Sequence, residues 1–255
     1  MTRAATTDGL HHVELVMGMA VSIDIREPVP CAAAVRDVVA WLHHVDETFS
    51  TYIDCSEISR FGRGELSGDQ LSEETADVLR RCIMLNEVTR GTFDAFAVPA
   101  PNGTMLDPSG FVKGWSIERA AAMLEAAGGV NFCINAGGDI AIRGRPEPGG
   151  AWRIGIRHPD LPDQLATVLE IAGARAVATS ATYERGAHII DPRTGEPTTA
   201  IASATIVGPD LAIADAFATA VFVMGLDGLE WIEGQDGYEA YLITHDNTTH
   251  WSSGF

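Results

Sequence analysis

An α+β fold is what this sequence predicts, and three observations carry the expectation. Helical-period stripes and short β-prone runs come in blocks rather than in strict alternation, the pattern of segregated helices and strands. Between residues 132 and 207, six short runs rich in Val, Ile and Thr are separated by Gly, Pro and Asp, which reads as a mostly antiparallel sheet. The segment 211–224 is apolar nearly all round, so it belongs in a core rather than on a surface. With 255 residues and 46% hydrophobic content, the chain can bury a sizeable core.

Each element has its own warrant. Residues 1–12 read as a loose arm ending in His11 and His12. Residues 13–26 end in alternation, Val21, Ile23 and Ile25 against Ser22, Asp24 and Arg26, a strand pair or a strand bent at Gly18. Val35, Val38, Val39, Leu42 and Val45 give 32–49 a helical period. A second helix, 72–88, has Ser72 at its start as a cap and Val78, Leu79, Ile83 and Val88 as its apolar stripe. A third helix is expected over 115–127. Strands follow at 132–134, 139–143, 152–157, 167–171, 176–180 and 202–207, with GRPEPGG (144–150) a loop. Ile189 and Ile190 make a short strand before a DPRTG turn. A helix over 211–224 and strands at 238–244 and 249–251 complete the chain. No repeat or linker divides residues 13–255, which read as one domain.

Charge excludes some functions. The formal net charge is −18, from 35 acidic and 17 basic residues. Such a field repels nucleic-acid phosphates and gives no reason to seek an anionic membrane. An anionic ligand then needs a local basic group or a metal. The four cysteines, Cys31, Cys55, Cys82 and Cys133, form no C-x-x-C pair, which fits a reducing compartment. No apolar stretch approaches membrane length, and the first residues contain no secretory h-region. A cytoplasmic protein is expected.

Chemistry concentrates in a few stretches. Residues 107–115, DPSGFVKGW, set an acid (Asp107) and a turn ahead of Lys113 and a helix start, whose free N–H groups suit an anion; a plain capped surface helix is the alternative. Asp215 and Thr219 share one face of the apolar helix. A buried carboxylate there needs a partner from elsewhere, either Lys113, an arginine or a hard cation such as Mg²⁺, unless backbone N–H groups satisfy it. His188 precedes the DPRTG turn and can serve as a base beside a phosphate. NAGGD (135–139) reads as a hairpin turn or as a place where backbone approaches a ligand. Gly18, and the GTFD segment at 91–94, are weaker candidates of the same kind.

Taken in order, M-G at 17–18, FSTY at 49–52, GTFD, DPSGFVKGW, NAGGDI, WRIGI, HIIDPRTG and ADAFATAVFVMG resemble the FAD:protein FMN transferase family, known as ApbE, from about residue 17 to 225. The resemblance implies a T-fold-like core with a smaller lobe and an FAD cleft between them. It implies FAD contacts at Met17, Tyr52, Thr92, Phe93, Asp94, Asp107, Lys113 and Ile189 or Ile190. It also implies Mg²⁺ ligands at Asp215, Thr219 and, through its carbonyl, Gly110. His188 matches a histidine that helps activate the acceptor hydroxyl, so His188 and Asp215 are the expected catalytic residues. The implied reaction attaches FMN through a phosphoester to Thr or Ser of an acceptor flavoprotein and releases AMP. FAD hydrolysis to FMN and AMP, or FAD binding without turnover, are the alternatives. A monomer or homodimer is expected. Two positions depart from the usual pattern: Met19 where members carry Thr, and Ala181 where they carry Gly.

Overall fold

The computed structural model describes residues 9–26, 31–182 and 189–255. Its centre is an eight-stranded sheet, antiparallel at every pairing. From one edge to the other its strands are β1 (Leu10–Val16), β2 (Met19–Ile25), β3 (Phe132–Ala136), β4 (Asp139–Arg143), β7 (Arg175–Ala181), β10 (Ser203–Gly208), β11 (Glu239–Ile243) and β12 (Thr249–Trp251). A separate ribbon pairs β5 (Trp152–Arg157) with β6 (Leu165–Ile171), and a short one pairs β8 (Ile190–Asp191) with β9 (Glu196–Pro197). The expected mixed fold with a mostly antiparallel sheet is therefore present.

Period-2 patterning decides what each face touches. Val21, Ile23, Phe132, Ile134, Ala141, Ala178, Ala204, Ile206 and Leu242 point into the main core beneath the helices. Ile140, Ile142 and Val177 point the other way, onto Trp152, Ile154 and Ile171 of the β5–β6 ribbon. The helices on the first face are α1 (Cys31–Phe49), α3 (Glu73–Val88), α4 (Ser109–Ala126) and α5 (Leu211–Met224), with short α2 (Glu57–Gly62) and α6 (Asp227–Ile232) beside them. Helix α5 is buried along almost its whole length, as its composition requires. Among the described residues no helix is long and apolar enough to cross a membrane.

Three expectations need correction. Helix α4 begins at Ser109, not Trp115, so Lys113 and Gly114 lie inside it. Gly110 and Gly114 make this start look like a turn, because each costs a helix about 1 kcal/mol relative to Ala; tertiary packing overrides that cost. In α3 the buried stripe is Thr75, Val78, Leu79, Cys82 and Leu85, while Ile83 and Val88 are about half exposed, at 50% and 47%. That stripe keeps the 3.6-residue period, which Ile83 and Val88 leave. Leu10, His11 and His12, read above as the end of a loose arm, open β1 and pair with Ile25, Asp24 and Ile23 of β2; helices α2 and α6 are too short for periodicity to reveal.

Candidate functional site

The site is built where α4 crosses α5 at one end of the sheet. Gly110 and Gly114 are one helical turn apart and face α5. A Cβ on Gly114 would stand 2.4 Å from the Leu211 carbonyl oxygen and 2.8 Å from Asp215 Cβ, so only glycine permits this approach. The closeness lets the Gly114 N–H donate to Asp215 Oδ2 at 2.8 Å. In a regular helix that same N–H serves the Gly110 carbonyl. A Cβ on Gly110 would lie 3.4 Å from both Thr219 Oγ1 and Phe93 Cε2. Gly110, Phe93, Asp215 and Thr219 thus come together from three separate parts of the chain. Ser180 of β7 joins them, its Oγ 3.4 Å from Thr219 Oγ1.

Lys113 points from α4 towards the sheet. Its Nζ lies 2.8 Å from Asp139 Oδ2 and 3.7 Å from Asp215 Oδ1. Asp139 opens β4 directly after the Gly137–Gly138 turn, where both glycines have positive φ, 60° and 106°. It is 1% exposed, and its Oδ1 accepts the Thr179 N–H of β7 at 3.1 Å. Two buried carboxylates thus share the neighbourhood of one ammonium. Burial pushes the Asp215 carboxyl well above the usual carboxylate range; Lys113 and the Gly114 N–H pull it down, and Asp139 pushes it up.

The surrounding loops place the other expected residues. Phe93 is buried at 4%; its N–H donates to Thr89 Oγ1 at 3.1 Å and its carbonyl accepts from Asn86 Nδ2 at 3.0 Å. Thr92 is buried too, its hydroxyl donating to the Thr89 carbonyl at 2.8 Å. Asp94 and Asp107 each close a local turn, accepting from Phe96 N at 2.8 Å and Ser109 N at 3.0 Å. The Asp107 N–H bonds the Ala95 carbonyl at 2.8 Å and so ties the 92–96 loop to the start of α4. Met17 holds the β1–β2 turn with a φ of 54°, and Gly137 of the β3–β4 turn approaches Met19 Sδ, so both turns meet at this end of the sheet. Ile189 is buried and Ile190 half-buried at the start of the β8–β9 ribbon. Tyr52 is 74% exposed, and no described contact links it to the Lys113 cluster. His188 lies outside the described residues.

Asp139 is the residue that sequence reasoning passes over. The signal is present, since a carboxylate opening the otherwise apolar DIAI run of β4 needs a buried partner, but the Gly-Gly turn before it already explains the stretch. The cluster lines neither of two cavities found among the described residues. One, of about 430 Å³, lies on the opposite face of the sheet against Trp152, Cys133 and Arg26. The other, of about 240 Å³, takes Thr92 among its walls, with Arg90, Arg193 and Trp231.

The sequence model of the ApbE family matches residues 17–102 and 96–242, which include every element of this cluster. Among curated proteins, the FAD:protein FMN transferase of Vibrio cholerae is 28% identical, covering 72% of this chain and 71% of its own. That of Haemophilus influenzae is 27% identical, covering 82% and 77%. The solved structure of the flavin transferase ApbE from Vibrio cholerae superposes with a TM-score of 0.84 at 25% identity, over 97% of this chain and 98% of that one. The ApbE protein of Thermotoga maritima shares the fold at 22% identity, with a TM-score of 0.82. The match to the family model spans most of the chain and the alternating faces of its sheet carry the same fold, so this protein belongs to the ApbE family.

Proposed function

We propose that the protein is a divalent-cation-dependent FAD:protein FMN transferase. The observation that carries this is the convergence of Lys113, Asp215, Thr219 and Gly110 at one helix crossing, in a chain whose relatives are named for that transfer. Among the described residues no trio of His, Cys, Asp and Glu side chains forms a metal site. The donors here are instead a carboxylate, a hydroxyl and a backbone carbonyl, an all-oxygen set suited to a hard ion such as Mg²⁺. The donor set fits. Asp215 Oδ1 is not taken by the backbone bond, and the absent Cβ of Gly110 leaves room beside Thr219 Oγ1.

Asp215, Thr219 and the Gly110 carbonyl would hold the ion, whose chemistry when bound is to neutralise charge building on the FAD phosphates. Lys113 contributes a fixed ammonium to the same phosphates, in a field otherwise set by a net charge of −18. Phe93, at the junction of the 92–96 loop with α4, offers an aromatic wall, and Met17 backbone borders the same end of the sheet. Thr92, Asp94, Asp107, Ile189, Ile190 and Tyr52 are assigned to the remainder of the FAD surface. His188 is assigned the proton of the acceptor hydroxyl. That oxygen attacks the FMN phosphorus, the P–O bond to AMP breaks, and FMN remains joined to Thr or Ser of an acceptor flavoprotein through a phosphoester. Residues 13–255 act as one unit in this reading. Cys55, Cys82 and Cys133 are free thiols, which supports a reducing, cytoplasmic setting.

The test is incubation with FAD, Mg²⁺ and candidate acceptor proteins, read by intact mass. Gain of one FMN on an acceptor is the expected result. Free FMN and AMP with no adduct would make the protein an FAD pyrophosphatase, and unchanged FAD a binding protein.

A further inference from the structure

We propose that Asp139 is the positioning residue for Lys113, fixing its ammonium beside the phosphates when a cation takes Asp215. The inference rests on the reading of the Lys113–Asp215 cluster given above. Its basis is the different way in which the two carboxylates are anchored. Asp139 belongs to the sheet: it lies in a five-residue strand buried throughout, and its Oδ1 is held by the Thr179 N–H of the neighbouring strand. Its Oδ2 is fully buried and receives no hydrogen bond of good geometry from the described residues; it faces the Lys113 ammonium at 2.8 Å as an ion pair. Asp215 belongs to a helix, with Oδ2 fixed by Gly114 and Oδ1 at 3.7 Å from the same ammonium.

With a cation on Asp215 Oδ1, the ammonium is repelled from that side, and Asp139 retains it on the other. Two carboxylates and one ammonium carry a net charge of −1, which a divalent ion converts to +1. That suits the dianionic diphosphate of FAD without moving any protein charge far. Without the Asp139 charge, the lysine loses its closer anchor. With the cation holding Asp215, it then leaves for solvent.

The experiment uses the full chain as wild type, Asp139→Asn, Lys113→Ala and the double variant. The amide oxygen of Asp139→Asn retains an acceptor for the Thr179 N–H. FAD affinity is measured at saturating Mg²⁺, along with the Mg²⁺ concentration that gives half-maximal FAD binding and the KM and kcat of transfer. Asp139→Asn is expected to weaken FAD binding about tenfold and to raise KM for FAD more than it lowers kcat. The Mg²⁺ midpoint should change by less than about twofold, within the scatter of a substitution that leaves the ligands intact. The double variant should bind FAD no more weakly than Lys113→Ala, because Asp139 acts through that lysine. Wild-type affinity in Asp139→Asn, or additive losses in the double variant, would overturn the assignment. A large rise in the Mg²⁺ midpoint would overturn it too, by making Asp139 a cation ligand. If Asp139→Asn does not fold, Asp139→Ser, with its own oxygen acceptor, takes its place under the same criteria. Failure of the wild type to bind FAD at all would remove the site reading itself, an outcome distinct from those above.

Discussion

Substituting alanine at Gly110 and at Gly114 tests whether the α4–α5 crossing builds the site. Helix propensity treats the two alike: each Gly→Ala change inside a helix is worth about 1 kcal/mol of added stability. The structure separates them. At position 114 the new methyl meets Leu211 backbone at 2.4 Å and Asp215 Cβ at 2.8 Å, atoms of a fully packed helix that cannot rotate away. Overpacking of this kind costs about 1–3 kcal/mol, and parting the helices also lengthens the Gly114–Asp215 bond, worth about 1.5–3 kcal/mol for a charged acceptor. Against a propensity gain of about 1 kcal/mol, Gly114→Ala should lose about 1.5–5 kcal/mol. At about 2–4 °C per kcal/mol for a chain of this size, the thermal midpoint falls by roughly 3–20 °C. At position 110 the methyl meets Phe93 Cε2 and Thr219 Oγ1 at 3.4 Å, at the near edge of ordinary contact, so Gly110→Ala should keep or slightly gain stability. It nevertheless fills the space beside Thr219 Oγ1, so Mg²⁺-dependent transfer should fall while the fold stays intact. Thermal unfolding of both variants, with FAD turnover on the folded fraction, makes the comparison. A Gly114→Ala protein as stable as wild type would refute the close crossing.

Three further outcomes follow from the same geometry. Because burial raises the Asp215 carboxyl above its unfolded value of 3.8, the folded chain keeps a proton that the unfolded chain releases. Without divalent cations, that stability is present at low pH and is lost as pH rises towards the folded pKa; melting curves across pH should show the slope, and Asp215→Asn should flatten it while abolishing Mg²⁺-dependent turnover. Lys113→Ala leaves the Asp139 and Asp215 carboxylates without their shared ammonium, so at neutral pH it should cost about 3 kcal/mol as well as FAD affinity, measurable by urea unfolding; an unchanged midpoint would mean the carboxylates do not depend on it. Glu57 accepts bonds from the Ser72 N–H and hydroxyl and from Thr75 Oγ1, tying α2 to α3. Burial raises its carboxyl, but these bonds outweigh burial and hold it below its ordinary value of 4.5, so the clamp is present above that value and is lost as pH falls through the lowered one. Thr75→Val should bring that loss to higher pH, read by hydrogen exchange in residues 57–62.

Local pattern by itself determines much of this protein. It bounds the helix 211–224 to the residue, because an unbroken apolar run has one physical home, and the lone Asp215 within it announces a buried charge in need of a partner. Strands 139–143 and 152–157 are equally plain, since alternating or β-branched runs between Gly and Pro have few other outcomes. The motif order carries the family. What local pattern does not decide is anything set by distance across the chain. It misplaces the start of α4, because Gly110 and Gly114 look like helix breakers until α5 is packed against them. It leaves the neutralising partner of Asp215 open among Lys113, an arginine and a metal, because Lys113 and Asp215 sit on elements far apart in sequence. Asp139 escapes it for the same reason. The burial of that carboxylate comes from a neighbouring strand and its counter-ion from a helix, and the physical cause of both is tertiary: a carboxylate's environment is made by the surfaces that close over it, not by the residues beside it in the chain.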